Sequence, residues 1–134
     1  MRLKKGKKCK IYFTYTREKY ARIRARGILS QGVKMEKDIE RYLVREVKKM
    51  GGQCLKWVSP GSDGVPDRII LLPGGHIWFV ELKDDRGRLS ALQKYWLEVL
   101  YDLGFMAVVV KGMDQARLLI SVLRDTYGGS CDAV

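Results

Sequence analysis

The sequence predicts an α/β domain, a mixed central sheet flanked by helices in the order αβββαβα, and three observations predict it. Apolar residues at three- and four-residue steps mark amphipathic helices. Two short apolar runs meet at a glycine-rich turn. A helix-periodic segment separates the third apolar run from the fourth, which calls for helices packed on the faces of the sheet.

Taken in order, Ile39, Tyr42, Leu43, Val47 and Met50 recur at helical spacing over residues 37–50, and Gly51-Gly52 ends that helix. Residues 53–58, with Cys54, Leu55, Trp57 and Val58, read as a first strand, and residues 59–64 as a loop of turn formers. Residues 68–72 are a continuous apolar run between Pro66 and Pro73, short enough for a buried strand. Pro73-Gly74-Gly75 forms a tight turn, and residues 77–83 are the next strand, so the two runs pair as a hairpin. Ser90 is placed to N-cap a helix through Leu103, whose Leu92, Tyr95, Trp96, Val99, Leu100 and Leu103 form an apolar face and whose end Gly104 caps. Residues 105–111, built on Val108-Val109-Val110, are the fourth strand, and residues 113–123 the last helix. The domain is expected over residues 35–126, with a loose tail over 127–134. No internal repeat is present.

Three cysteines, Cys9, Cys54 and Cys131, are widely spaced and include no CxxC pair. That pattern argues against both a disulfide framework and a zinc site and for a reduced, cytoplasmic protein. No apolar run approaches the roughly 20 residues needed to cross a bilayer. The net charge of +11 is unevenly placed. Residues 1–34 hold 12 Lys or Arg and the one acid Glu18, whereas residues 35–134 hold 14 bases and 14 acids. This basic segment reads as a poorly ordered tail, as residues upstream of a start at Met35, or as an ordered arm that attracts phosphates by counterion release. Tyr12, Phe13, Tyr15 and Tyr20 leave room in it for a short strand or helix.

The residues that carry chemistry sit at one end of the expected hairpin. Asp67 follows Gly64-Val65-Pro66, where Pro66 fixes its own φ and biases Val65 toward an extended backbone. Glu81 and Lys83 stand two apart on one face of an otherwise apolar strand, with Leu82 on the other face. Both are expensive to place there without partners. Counting back from the turn sets position 67 opposite position 81. Two carboxylates converging beside an ammonium make a site for a hard cation, with a group to position water next to it. The alternative is an ordinary Glu81–Lys83 ion pair on a solvated sheet face. The unbroken apolar run of residues 77–80 and the constrained Gly-Val-Pro-Asp approach favour the site. His76, the only histidine, lies at the turn and reads as a turn residue.

Three segments, Gly64-Val65-Pro66-Asp67-Arg68, Phe79-Val80-Glu81-Leu82-Lys83 and Ser90-x-x-Gln93, follow an acidic first helix. In that order and spacing they resemble the PD-(D/E)XK nuclease superfamily, and within it the small VRR-NUC domain of stand-alone, phage-like proteins. The resemblance covers about residues 35–123 and implies a restriction-endonuclease-like core. It implies that Asp67 and Glu81, helped by the backbone carbonyl of Leu82, bind Mg²⁺ or Mn²⁺, and that Lys83 orients or helps deprotonate the attacking water. The family's first-helix glutamate falls on Glu40 or Glu36, one turn apart. Glu40 is preferred because it lies nearer the start of the sheet; either is otherwise a solvent-facing acid. Gln93 would lie over the site and bond the phosphate or a water, or else be an exposed helix residue. Lys56, Arg68, Arg86 and Arg88 would contact DNA.

The implied activity is hydrolysis of DNA phosphodiesters by a divalent-metal endonuclease, with no organic cofactor, no membrane and no covalent intermediate. The resemblance points to branched substrates such as four-way junctions or flaps and to a homodimer, in the cytoplasm of a bacterium or a phage-infected host. Trp57, Trp78 and Trp96 would offer a dimer surface if they are not buried. The competing readings are a nicking accessory of phage DNA metabolism and a catalytically silent DNA-binding module.

Overall fold

The chain turns back on itself at Pro73-Gly74-Gly75, where two successive glycines adopt φ of 89° and 79°. Residues with a Cβ enter that region reluctantly. In the computed structural model, which describes residues 36–128, this turn joins β2 (Arg68–Leu72) to β3 (His76–Lys83). The antiparallel register pairs Arg68 with Val80 and Leu72 with His76. Before the hairpin come α1 (Glu36–Lys49) and β1 (Gln53–Lys56); after it come α2 (Ala91–Asp102), β4 (Met106–Lys111) and α3 (Gly112–Tyr127). The sheet order is β1-β2-β3-β4, with β4 parallel to β3 and α2 crossing over between them. This is the expected order of elements and the expected mixed sheet.

The two faces of the sheet differ, and the alternation of side chains decides what each carries. Ile70, Leu72, Trp78, Val80, Leu82, Val108 and Val110 are buried on one face. α1 and α3 cover this face with Ile39, Leu43, Val47, Leu119, Ile120 and Leu123, all 4% exposed or less. Polar ties fix the same arrangement. Trp78 Nε1 donates to the Tyr127 hydroxyl of α3 at 3.0 Å. Glu46 of α1 pairs with Arg124 of α3, and Arg45 Nε and Lys49 Nζ each lie 3.1 Å from its Oε1. Burial alone would raise the Glu46 carboxyl; the hydrogen bonds from Lys49 and Arg45 outweigh it and hold the carboxyl below its ordinary value.

The opposite face carries Leu55, Ile69, Leu71, Ile77, Phe79 and Glu81, and α2 packs there against β4. Trp57 lies with its ring centroid 5.2 Å from that of Phe79, and Trp96 Nε1 donates to the Asp63 carbonyl at 2.9 Å. All three tryptophans offered as a dimer surface are therefore engaged within the domain. Cys54 is free and buried, and burial pushes its thiol up to about 11. No helix among the described residues is long and apolar enough to cross a membrane.

Two element ends differ from expectation for a physical reason. β1 stops at Lys56, yet Trp57 N–H donates to the Asp67 carbonyl at 2.8 Å, carrying the pairing one step further. α3 runs to Tyr127 rather than Leu123, because Tyr127 docks on Trp78 and its ring centroid lies 4.2 Å from that of His76. Residue 127 thus belongs to the helix and not to a loose tail. The basic segment 1–34 and its reading as tail, upstream residues or arm lie outside the described residues, as does the tail beyond 128.

Candidate active site

The register of the hairpin brings the carboxylates together. Arg68 pairs with Val80, so the next step of the same antiparallel register sets Asp67 against Glu81. Three further features hold Asp67. Its carbonyl accepts from Trp57 N–H at 2.8 Å, its Oδ2 accepts from Leu82 N–H at 3.0 Å, and the preceding Pro66 is fully buried. The loop before it is pinned to α2. Gly64 has φ of 85°, and a Cβ there would lie 2.6 Å from Leu92 Cβ, a separation only glycine avoids. Trp96 of the same helix holds the Asp63 carbonyl.

Glu81 lies 1% exposed under the first turn of α2. Its Oε1 accepts from Gln93 Nε2 at 2.7 Å and lies 3.2 Å from Lys83 Nζ. Its Oε2 is buried and meets no hydrogen-bond donor among the described residues. The Glu81 carboxyl is pushed up to about 7, first by burial and then by the negative charge of Asp67, with the Lys83 ammonium working against both and a side-chain hydrogen bond with Asp67 adding to the rise. An ordinary ion pair on a solvated face would look different: the glutamate here is enclosed, and only Lys83, with a side chain 20% exposed, reaches toward solvent.

Gln93, expected over the site, lies against Glu81 with its amide committed to the protein. Ser90 and Gln93 form a reciprocal cap on α2, with Gln93 N–H donating to Ser90 Oγ at 3.1 Å and Ser90 N–H donating to Gln93 Oε1 at 2.9 Å. Sequence reasoning finds Ser90 as an N-cap. It misses the second half of the cap and the link to Glu81, although Ser-x-x-Gln is the signature of such a reciprocal arrangement.

Other expected residues lie apart from this cluster. Glu40 forms an ion pair with Arg68. Arg68 precedes Ile69 and pairs with Val80, so it takes the face that α1 covers, opposite to Glu81. Glu40 is thereby engaged by a guanidinium rather than turned to the carboxylates, and Glu36 is exposed at the start of α1. Arg68, expected on DNA, is 8% exposed and paired with Glu40 on the face that α1 covers. Leu82 contributes its N–H to Asp67. Lys56, Arg86 and Arg88 are exposed, the last two in the loop after β3 where Arg86 N–H donates to Asp84 Oδ1 at 2.9 Å.

Among the described residues no three His, Cys, Asp or Glu side chains form a cage for a metal. The donor set still suits a hard divalent cation such as Mg²⁺, which commonly takes one or two carboxylates and completes its shell with waters and substrate phosphates. A buried carboxylate oxygen without a donor among the described residues, beside a second carboxylate, is the feature that such a cation would satisfy.

Residues 15–114 match the VRR-NUC domain family. A protein named "Putative nuclease p44", from Acyrthosiphon pisum secondary endosymbiont phage 1, is 41% identical over 87 residues, spanning 65% of this chain and 94% of its own. A solved structure described as a VRR_NUC domain is 31% identical, with a TM-score of 0.61 over 64% of this chain and 94% of that one. A second, described as a VRR_NUC domain protein, shares the fold at 23% identity, with a TM-score of 0.52 over 74% of this chain and 90% of that one. Family match, sequence identity and structural similarity agree, and the chain belongs to the VRR-NUC family of nuclease domains.

Proposed function

We propose that the chain is a divalent-metal-dependent DNA endonuclease whose centre is Asp67, Glu81 and Lys83, and that it prefers branched DNA such as four-way junctions or flaps. The observation that supports the centre most strongly is the buried Glu81 Oε2, which has no donor among the described residues and stands beside Asp67. In this reading Asp67 and Glu81, with the Leu82 carbonyl, hold Mg²⁺ or Mn²⁺. The cation, when bound, supplies a Lewis acid that offsets charge developing on the phosphate and acidifies water.

The chain's own residues do the rest. Asp67 is fixed by Leu82 N–H, so its carboxylate needs little reorganisation when substrate arrives. Gln93 holds Glu81 Oε1 and keeps Oε2 free for the cation. Lys83, tethered 3.2 Å from Glu81 and reaching toward solvent, orients the attacking water and offsets negative charge on the scissile phosphate. Lys56, Arg86 and Arg88, all exposed, would bear on the DNA backbone, contacts that position without reading sequence.

The preference for branched DNA rests on the family resemblance and on a requirement of number. One small site must be doubled to cut two strands, so the working species is a homodimer, acting in the cytoplasm of a bacterium or a phage-infected host. A nuclease named in a phage relative fits that setting. The test is cleavage of labelled four-way junction, flap, single-stranded and linear duplex DNA with Mg²⁺, Mn²⁺ or EDTA. Metal-dependent cutting that favours the branched substrates is the expected result. Binding without cutting under every condition would instead make the chain a silent DNA-binding module, and equal cutting of all substrates would remove the structural preference.

A further inference from the structure

The reciprocal cap of α2 and the hydrogen bond to Glu81 share one side chain. A helix N-terminus of this kind accepts Glu or Gln at the third position. A glutamate at position 93 would satisfy Ser90 N–H as well as the amide does. It would have no proton for Glu81, and it would bring a third carboxylate against a buried one. Only the amide accepts from Ser90 N–H at 2.9 Å through Oε1 while donating to Glu81 Oε1 at 2.7 Å through Nε2. The Ser90 N–H therefore decides which way the amide faces: with Oε1 held there, Nε2 is the atom that points to Glu81.

The rest of the first turn is held in place independently. Gly64 lets the Asp63–Asp67 loop lie against the backbone of Leu92 and Gln93, and Trp96 Nε1 grips the Asp63 carbonyl at 2.9 Å. The two Glu81 oxygens are thus sorted. Oε1 serves Gln93 and Lys83, and Oε2 is left without a donor among the described residues.

We propose that Ser90 is a positioning residue of the active site: through its reciprocal cap it orients the Gln93 amide, and that amide holds Glu81 with one oxygen open to the cation. This inference rests on the metal-site reading above. Ser90 touches neither substrate nor metal, and its effect passes through Gln93. Groups outside the metal's immediate shell commonly change metal affinity about 10- to 100-fold when removed.

The experiment uses the full chain and two readouts. The first is metal-free: the side-chain NH₂ signal of Gln93 by NMR, which should exchange slowly with solvent in the parent, lose protection in Ser90→Ala and keep it in Ser90→Thr. The second is calorimetric titration with Mn²⁺. Ser90→Ala should weaken Mn²⁺ binding about 10-fold and Ser90→Thr by less than about twofold. In a Gln93→Ala background the further change Ser90→Ala should have almost no effect, because the residue it acts through is gone.

An equal loss from Ser90→Ala in both backgrounds would make Ser90 a helix cap and nothing more, and an unaltered Gln93 signal in Ser90→Ala would likewise overturn the proposal. A parent that binds no Mn²⁺ but shows Ser90-dependent protection of Gln93 would sink the metal reading while leaving the positioning of Glu81 by Ser90 in place.

Discussion

Glu81 is where burial and charge act most directly on the proposed site. Its ordinary value lies near 4.5, and in the folded chain it rises to about 7 because burial and then the charge of Asp67 disfavour its anion. The folded state therefore keeps a proton that the unfolded chain has already released. Stability without metal is greatest below the ordinary value and falls as pH rises through about 7, since over that window the folded chain binds more protons. Glu81→Gln removes this penalty. In EDTA near pH 8 the variant should melt higher than the parent by about 4 °C or more, the shift that accompanies 1 kcal/mol in a domain of this size, and the gap should shrink near pH 5. Calorimetric melting at the two pH values checks it, and a variant that melts lower at both contradicts it. The same substitution should abolish cleavage, so stability and activity move in opposite directions, as they do where a site stores unfavourable charge. Glu40 is the contrasting case. It is an acid at the expected place in sequence, and it forms an ion pair with Arg68.

The elements bring these residues together through a few interactions, and some of those are legible in the sequence. A three-residue turn with two glycines and apolar runs on both sides specify the hairpin, and its register alone places Asp67 against Glu81. What periodicity does not reveal is how α2 lies on the sheet. That depends on Gly64 meeting Leu92 and Gln93, on Trp96 reaching back to Asp63 and on the Ser90–Gln93 cap touching Glu81, where the two side-chain bonds span 12 and 33 positions of sequence. The Glu40–Arg68 pair is hidden for the same reason: spacing places a residue on a face, but not which charge on a neighbouring element it will meet. Gly64→Ala tests the docking of α2. The new methyl meets Leu92 and forces φ of 85° on a residue with a Cβ. Stability should fall on the order of 2 kcal/mol in urea unfolding, and cleavage should fall with it because Gln93 moves off Glu81. Unchanged urea midpoint and unchanged cleavage would mean that the loop is not held against the helix.

At the scale of the whole molecule the charge is unevenly divided. The segment 35–134 is balanced, with 14 bases and 14 acids, so the fold carries little net field and its site charges act locally. The excess of +11 lies in residues 1–34, and six of its bases, Arg2, Lys4, Lys5, Lys7, Lys8 and Lys10, stand upstream of residue 15, where the family match begins. Removing residues 2–14 should weaken DNA binding and flatten its salt dependence by about 0.9 in slope for each phosphate that the shortened chain no longer neutralises, while cleavage at saturating DNA is unchanged. Titrations at several salt concentrations measure this, and an unchanged slope would place the phosphate-binding residues elsewhere. If one end of the hairpin, with Asp67, Glu81 and Lys83, is where phosphodiesters are cut, loss of Asp67 or Lys83 must show in the chemical step. The most direct test is single-turnover cleavage of a labelled four-way junction with Mg²⁺ or Mn²⁺ by the parent, Asp67→Ala and Lys83→Ala, with DNA binding and melting followed on the same samples. Both variants should fold and bind DNA, and each should cut at least about 100-fold more slowly. Cleavage at the parent's rate by either variant would contradict this assignment.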